Sequence, residues 1–198
     1  MAKAKLSKTL SNSYVTTIIL AAILLGGVFG FWFGLKAALR TDYPLLAVAS
    51  GSMVPTLNIG DLIVVQGVTN VSEINAAPRP NGTIIVFHKS NDLSELIVHR
   101  AIRSVFKNGG WYFTTQGDAN SGSASWEIEF PESLIVGKVV GVVPWIGNVP
   151  LFIRTTQGMI FIFFLFIIVL LIEYIPEILK KNKTKGQGLR EDGQISQG

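Results

Sequence analysis

Three side chains in the middle of this sequence are of the types that together cleave a carbonyl bond: the hydroxyl of Ser52, the imidazole of His99 and the carboxylate of Asp118. A hydroxyl is a weak nucleophile until a base takes its proton, and the base works best when a third group orients it. Ser52 stands in Ser50-Gly51-Ser52-Met53-Val54-Pro55. The glycine there lets the backbone bend sharply and hold a hydroxyl clear of its neighbours. His99 interrupts the apolar run Leu96-Ile97-Val98, and Asp118 follows Gly117 in Thr115-Gln116-Gly117-Asp118-Ala119-Asn120. Each residue also has a plain reading. Two serines beside a glycine make a polar loop before a strand, and a lone strand histidine can be structural. A Gly-Asp pair is a turn, as at Gly60-Asp61. His88, next to Lys89, reads as a surface histidine. Residue type and spacing alone leave both readings open.

The elements that must position these residues are strands. Leu62–Val65 and Thr83–Phe87 are β-branched runs bounded by turn residues. Leu96–Val105 and Trp111–Thr115 flank Lys107-Asn108-Gly109-Gly110, a hairpin signal. That hairpin carries His99 before its turn and Asp118 after it, toward the same end. Leu134–Val143 is a further strand, with Gly137 and Gly141 marking a bulge or a barrel corner. The stretch 76–82 reads as a loop, and Trp126–Pro131 as an exposed connection. The fold class expected is mainly β: a small, twisted, antiparallel and partly barrel-like domain.

The flanks place this domain at a membrane. No charge occurs from Thr9 to Leu35, and the apolar stretch 14–36 is long enough to span a bilayer. Phe31, Trp32 and Phe33 at its far end fit an interfacial aromatic belt. The run exceeds the h-region of a cleavable signal peptide. A second uncharged segment, Thr155–Ile172, lies within an expected span at 155–175. Lysines stand on the outer side of both segments, in basic tails at 1–13 and 176–198. The positive-inside rule puts both tails in the cytoplasm and the domain at 37–154 outside it. Within 37–154 eight lysines and arginines face nine acids, so the net charge of +4 resides in the tails. A nucleic-acid partner is not expected, because no basic face interleaved with aromatics is visible. The 198 residues include no cysteine and two histidines, which excludes disulfides and thiolate chemistry and argues against a metal site.

Four motifs in order carry a resemblance: Ser50-Gly51-Ser52-Met53-Val54-Pro55-Thr56-Leu57, Gly60-Asp61-Leu62-Ile63, Ile97-Val98-His99-Arg100 and Thr115-Gln116-Gly117-Asp118-Ala119-Asn120. Together, between two apolar segments, they resemble type I signal peptidase in its archaeal and endoplasmic-reticulum branch. Gly137-Lys138-Val139-Val140-Gly141 is similar to the family's closing strand. The usual bacterial enzymes have a lysine just before the arginine of the third motif. Here His99 precedes Arg100, which implies a serine–histidine mechanism. Two positions depart from the family pattern. Ala124 stands where relatives carry a second aspartate, and Val54 where many carry glutamate. The third member of the site is thereby open. Asp118 orients His99, or a serine or water does so more weakly, or Glu127 substitutes.

The resemblance implies a membrane-bound serine endopeptidase that removes signal peptides from secreted preproteins. Ser52 would be the nucleophile, His99 the general base and Asp118 the acid, with Ser50 and Ser52 supplying the oxyanion hole. It implies no cofactor. It also implies small side chains at the first and third positions before the cut, a lipid bilayer and the secretion translocon as partners, and a multi-pass place in the cell membrane (the endoplasmic reticulum in a eukaryote). Apolar residues near the nucleophile, Leu45, Leu46 and Met53, would meet the membrane or fill the core. The alternative is a membrane-anchored scaffold or adaptor of the secretion machinery without catalysis. A serine–lysine peptidase using Lys89 or Lys107 is a further rival.

Overall fold

The computed structural model describes residues 13–172 and residue 175. The basic tails expected at 1–13 and 176–198 lie outside the described residues, apart from Ser13. The chain divides into two compact units, Met1–Asn148 and Val149–Gly198.

The first unit opens with helix α1, Ser13–Leu39, of 27 residues. At the helical rise this is about 40 Å long, more than the roughly 30 Å of a bilayer's hydrocarbon core. Ile18, Leu24, Val28 and Phe31 are exposed on it. A helix apolar all round needs an apolar surrounding. The helix end is fixed to the β-domain by a hydrogen bond from the Gly67 N–H to the Leu39 carbonyl, 2.8 Å.

Seven strands follow: β1 (Leu45–Ala47), β2 (Leu62–Gln66), β3 (Ile84–Lys89), β4 (Asp92–Lys107), β5 (Gly110–Gln116), β6 (Phe130–Pro131) and β7 (Ile135–Val143). They form one sheet in the order β1-β2-β7-β3-β4-β5-β6, with antiparallel pairing throughout. The mainly β, antiparallel expectation is met, and β1 and β6 are the two edges.

Burial alternates along β2 with the period of two that a half-buried strand requires. The central strand β3 is different. Ile85, Val86 and Phe87 are all fully buried, because it carries a core on each face. Val86 packs with Met53, Leu57, Ile63 and Val65, whereas Ile85 and Phe87 pack with Ala101, Phe113 and Phe130.

The β4–β5 hairpin closes as its sequence signals. Lys107 pairs with Gly110, and Asn108 and Gly109 adopt φ of 54° and 79°, the mirror-image turn that suits the twist of two strands. Gly137 sits beside a register shift between β3 and β7, and a Cβ there would lie 2.5 Å from the Gln66 carbonyl oxygen.

The stretch 126–131 is not the exposed connection expected. A 3₁₀ turn over Ser125–Glu127 swings Glu127 inward, and Phe130 stacks on Phe87 with centroids 4.4 Å apart. Both side chains are buried. Met53 is buried too, at 1% exposed, so it belongs to the core and not to a membrane-facing surface.

Helix α2 (Asn148–Ile153) starts at the last residue of the first unit, and the second unit holds an apolar helix α3 (Thr156–Ile172). Seventeen residues make about 25 Å of helix, short of the hydrocarbon thickness. Among the described residues α1 alone is long and apolar enough to cross a membrane. Glu173 and Tyr174, part of the expected span at 155–175, lie outside the described residues.

Candidate active site

Ser52 sits on a turn fastened from three sides. The Leu57 N–H donates to the Met53 carbonyl, 2.9 Å, and the Val54 N–H to the Gly51 carbonyl, 3.1 Å. Met53 and Leu57 anchor the turn in the core beneath β2 and β3. From the other side the Ala119 N–H donates to the Ser52 carbonyl, 2.9 Å. The loop after β5 therefore holds the backbone of Ser52 itself. Gly117 makes this approach possible. A Cβ at that position would lie 2.6 Å from the Ser52 carbonyl oxygen and 2.9 Å from His99 Nε2, too close for any side chain.

His99 comes from β4, opposite Ile85 of β3. It is 5% exposed, and its ring is engaged at both nitrogens. Nε2 lies 3.0 Å from Ser52 Oγ, and Nδ1 lies 2.5 Å from Glu127 Oε1. The indole of Trp126 stacks on the imidazole with centroids 6.2 Å apart and 22° between planes.

Glu127 is 1% exposed. Its carboxylate also accepts from Thr115 Oγ1 at 3.1 Å and from the Ala124 N–H at 2.8 Å. An ionised carboxylate can only accept, so His99 Nδ1 must donate to it. That assignment leaves the Nε2 lone pair facing Ser52 Oγ, the orientation in which imidazole can take a hydroxyl proton. Ser50 Oγ lies 3.3 Å from Ser52 Oγ. Ser50 is exposed and Ser52 half-buried, so the pair opens to solvent.

Asp118 is placed elsewhere than its expected pairing with His99. Arg100 donates to both its oxygens, from Nε at 2.8 Å and Nη2 at 2.6 Å, and Thr56 Oγ1 donates at 2.5 Å. The pair is buried. The hydrogen bonds from Arg100 hold the Asp118 carboxyl below the usual aspartate range against the opposing effect of burial, and Thr56 adds to them. Arg100 Nη1 also donates to the carbonyls of Pro80 and Gly82. Alternation on a strand explains the split. His99 and Arg100 are consecutive, so their side chains leave β4 on opposite faces. One meets Glu127 and the other Asp118.

The two lysines that could rival His99 are engaged with acids. Lys89 Nζ pairs with Glu95 and lies 5.3 Å from the centre of the Trp126 ring. Lys107 pairs with Glu129 and covers the Tyr112 ring. Among the described residues no group of three or more His, Cys, Asp or Glu could hold a metal ion.

A cavity of about 450 Å³ adjoins the serine, lined by Ala47, Ala49, Ser52, Leu96, Val98 and His99 among others. Its wall on β4 has ladder pairing to β3 at Leu96, Ile97 and Val98, while pairing to β5 begins only at Arg100. Sequence reasoning had Ser52, His99 and Asp118 in view, with Glu127 as the last alternative for the acid. It did not single out Trp126, Thr115 or Thr56, which act through contacts that only the folded register creates.

No protein-family model matches the chain. Curated relatives do. The chain is 32% identical over 133 residues to the signal peptidase complex catalytic subunit SEC11 of Chaetomium globosum, covering 64% of this chain and 73% of that protein. It is 30% identical to the SEC11 of Tuber melanosporum, over 73% and 82% of the two chains. With the SEC11 of Lachancea thermotolerans it shares 30% identity over 72% of this chain and 85% of the relative. Likeness of this extent over most of both chains makes the protein a member of the SEC11 family of signal peptidase catalytic subunits.

Proposed function

We propose that the chain is a membrane-bound serine endopeptidase that removes signal peptides from secreted preproteins, with Ser52 as nucleophile and His99 as general base. The observation that carries this is the 3.0 Å approach of His99 Nε2 to Ser52 Oγ beside an open cavity. Membership of the SEC11 family favours catalysis over the scaffold alternative.

Ser52 Oγ attacks the scissile carbonyl carbon as its proton passes to Nε2. The oxyanion is met by the Ser52 N–H and the Ser50 hydroxyl, and loss of one such donor typically costs roughly 100- to 1,000-fold in rate. The C–N bond breaks as Nε2–H protonates the departing amine, leaving an ester on Ser52. A water then gives its proton to Nε2 and attacks the ester, and Ser52 recovers its proton as the signal peptide leaves as a carboxylate. The substrate lies extended along the β4 wall at Leu96–Val98, alternate side chains entering the cavity. Small side chains at the first and third positions before the cut fit a cavity bordered by Ala47 and Ala49. Asp118 acts at one remove. Through Arg100 and Thr56 it ties the loop after β5 to the Ser52 turn.

The proposed setting is two spans, α1 and the 155–175 segment, with both basic tails in the cytoplasm and the 37–154 domain outside. The relatives are subunits of a signal peptidase complex, and assembly of this chain beside the translocon, in the endoplasmic reticulum of a eukaryote, follows the same reading.

The test is processing of a preprotein by the full chain in membranes. His99→Ala abolishes it, whereas Lys89→Ala and Lys107→Ala leave it near wild type. A bulky residue placed immediately before the cut blocks it. Wild-type processing by His99→Ala would overturn the mechanism.

A further inference from the structure

We propose that Glu127, standing in the 3₁₀ turn three residues after Ala124, is the positioning residue that fixes the tautomer of His99 and offsets the charge the ring gains during the reaction. The inference rests on the peptidase reading above and concerns how its base is held.

The carboxylate of Glu127 is buried in the sheet's interior, where an unpaired charge is costly. Three donors meet it: His99 Nδ1, Thr115 Oγ1 and the Ala124 N–H. Two of them have fixed roles. The Ala124 N–H can only donate, and it holds Oε2. Thr115 Oγ1 donates to Oε1, and its residue is fully buried on β5. With the carboxylate clamped in this way, Oε1 is held to accept a hydrogen bond from Nδ1–H. The Trp126 ring lies nearly parallel to the imidazole, with 22° between planes. When Nε2 takes the proton of Ser52, the imidazolium faces a carboxylate at 2.5 Å. Asp118 does not serve there, since its carboxylate is held by Arg100 and Thr56, and Arg100 leaves β4 on the face opposite His99.

Glu127 also has a plain structural use. Its side chain folds back on the Ala124 N–H and closes the turn Ser125–Glu127, as a glutamate or glutamine at this position does. The two roles separate in Glu127→Gln. A glutamine oxygen still closes the turn, but its NH₂ then faces His99 Nδ1, which must accept. The proton moves to Nε2, and the base is lost.

The experiment is steady-state processing of a synthetic preprotein peptide by the full-length chain in detergent or vesicles. Glu127→Gln lowers kcat by about 10⁴-fold with KM unchanged. Glu127→Asp keeps the carboxylate and stays within about 100-fold of wild type. A Glu127→Gln enzyme within about tenfold of wild type overturns the proposal, because the turn closure alone predicts that result. So does an equal loss in the Gln and Asp variants. Should Glu127→Gln not accumulate, Thr115→Val reads the same claim. It removes one donor from the clamp at equal shape and lowers kcat with KM unchanged, and a wild-type kcat there overturns the proposal. Ser52→Ala separates this from the function itself. If Ser52→Ala is inactive while Glu127→Gln is not, only the role of Glu127 falls. If Ser52→Ala processes normally, the peptidase reading falls with it.

Discussion

At Ser52 the proposed reaction depends on two neighbours that are held still. His99 is one, and the Arg100–Asp118 pair, whose acid in the loop after β5 reaches the Ser52 turn through Thr56, is the other. The pair is buried, so Asp118→Asn leaves the Arg100 guanidinium without its counter-charge, a change that costs about 3–5 kcal/mol. The expected result is a lower melting temperature together with reduced processing, measured by thermal unfolding and by preprotein cleavage. The pair also gives the fold an acid-side weakness. Arg100 holds the Asp118 carboxyl below its ordinary range in the folded protein. Its stabilisation is therefore complete above the unfolded aspartate value of about 3.9 and is lost as pH falls through the depressed folded value. Unfolding followed from pH 6 down to pH 2 shows this loss in the wild type, and Asp118→Asn, already lacking it, has a flatter profile over the same window.

Among the elements, the loop after β5 decides how closely Ser52 and His99 approach. Gly117→Ala places a methyl group against the Ser52 carbonyl and the His99 ring. The turn must move, and a displacement of about 1 Å at such a site costs on the order of 100-fold in rate. The prediction is a Gly117→Ala protein that accumulates and keeps its β-sheet signature in circular dichroism but has lost most processing. The same elements show what sequence conveys and what it withholds. The β4–β5 hairpin was readable because Asn108-Gly109 demands one turn type, and that turn sets the register that brings β5 alongside β4. Ser52 was readable through its glycine and its motif. The acid behind His99 was only half readable, since Glu127 stood as the last alternative after Asp118. Residues 99 and 100 leave β4 on opposite faces, and only the positions of the neighbouring loops decide which acid meets which base. Trp126–Pro131 looked like surface, with Glu127, Glu129 and a proline among its six residues. Its burial comes from Phe130 stacking on Phe87 across a sheet whose order no local pattern states.

For the whole molecule, an apolar helix tethers a β-domain whose open site adjoins a strand edge, the arrangement needed to receive an extended peptide emerging from a bilayer. The two-span topology has a direct check, since the chain contains no cysteine. Asn108→Cys in the hairpin turn and Lys183→Cys in the C-terminal tail are expected to react with a membrane-impermeant thiol reagent from opposite sides of a sealed vesicle. Reaction of both from one side would leave α1 as the lone span. The central claim, that this domain cleaves preproteins through Ser52, is tested most directly by one comparison. Wild type and Ser52→Ala are reconstituted at equal amounts in the same vesicles with a labelled preprotein, and the product's new N-terminus is identified by mass spectrometry. The account predicts a single cut after a small residue by the wild type and none by Ser52→Ala. Equal cleavage by the two would contradict it.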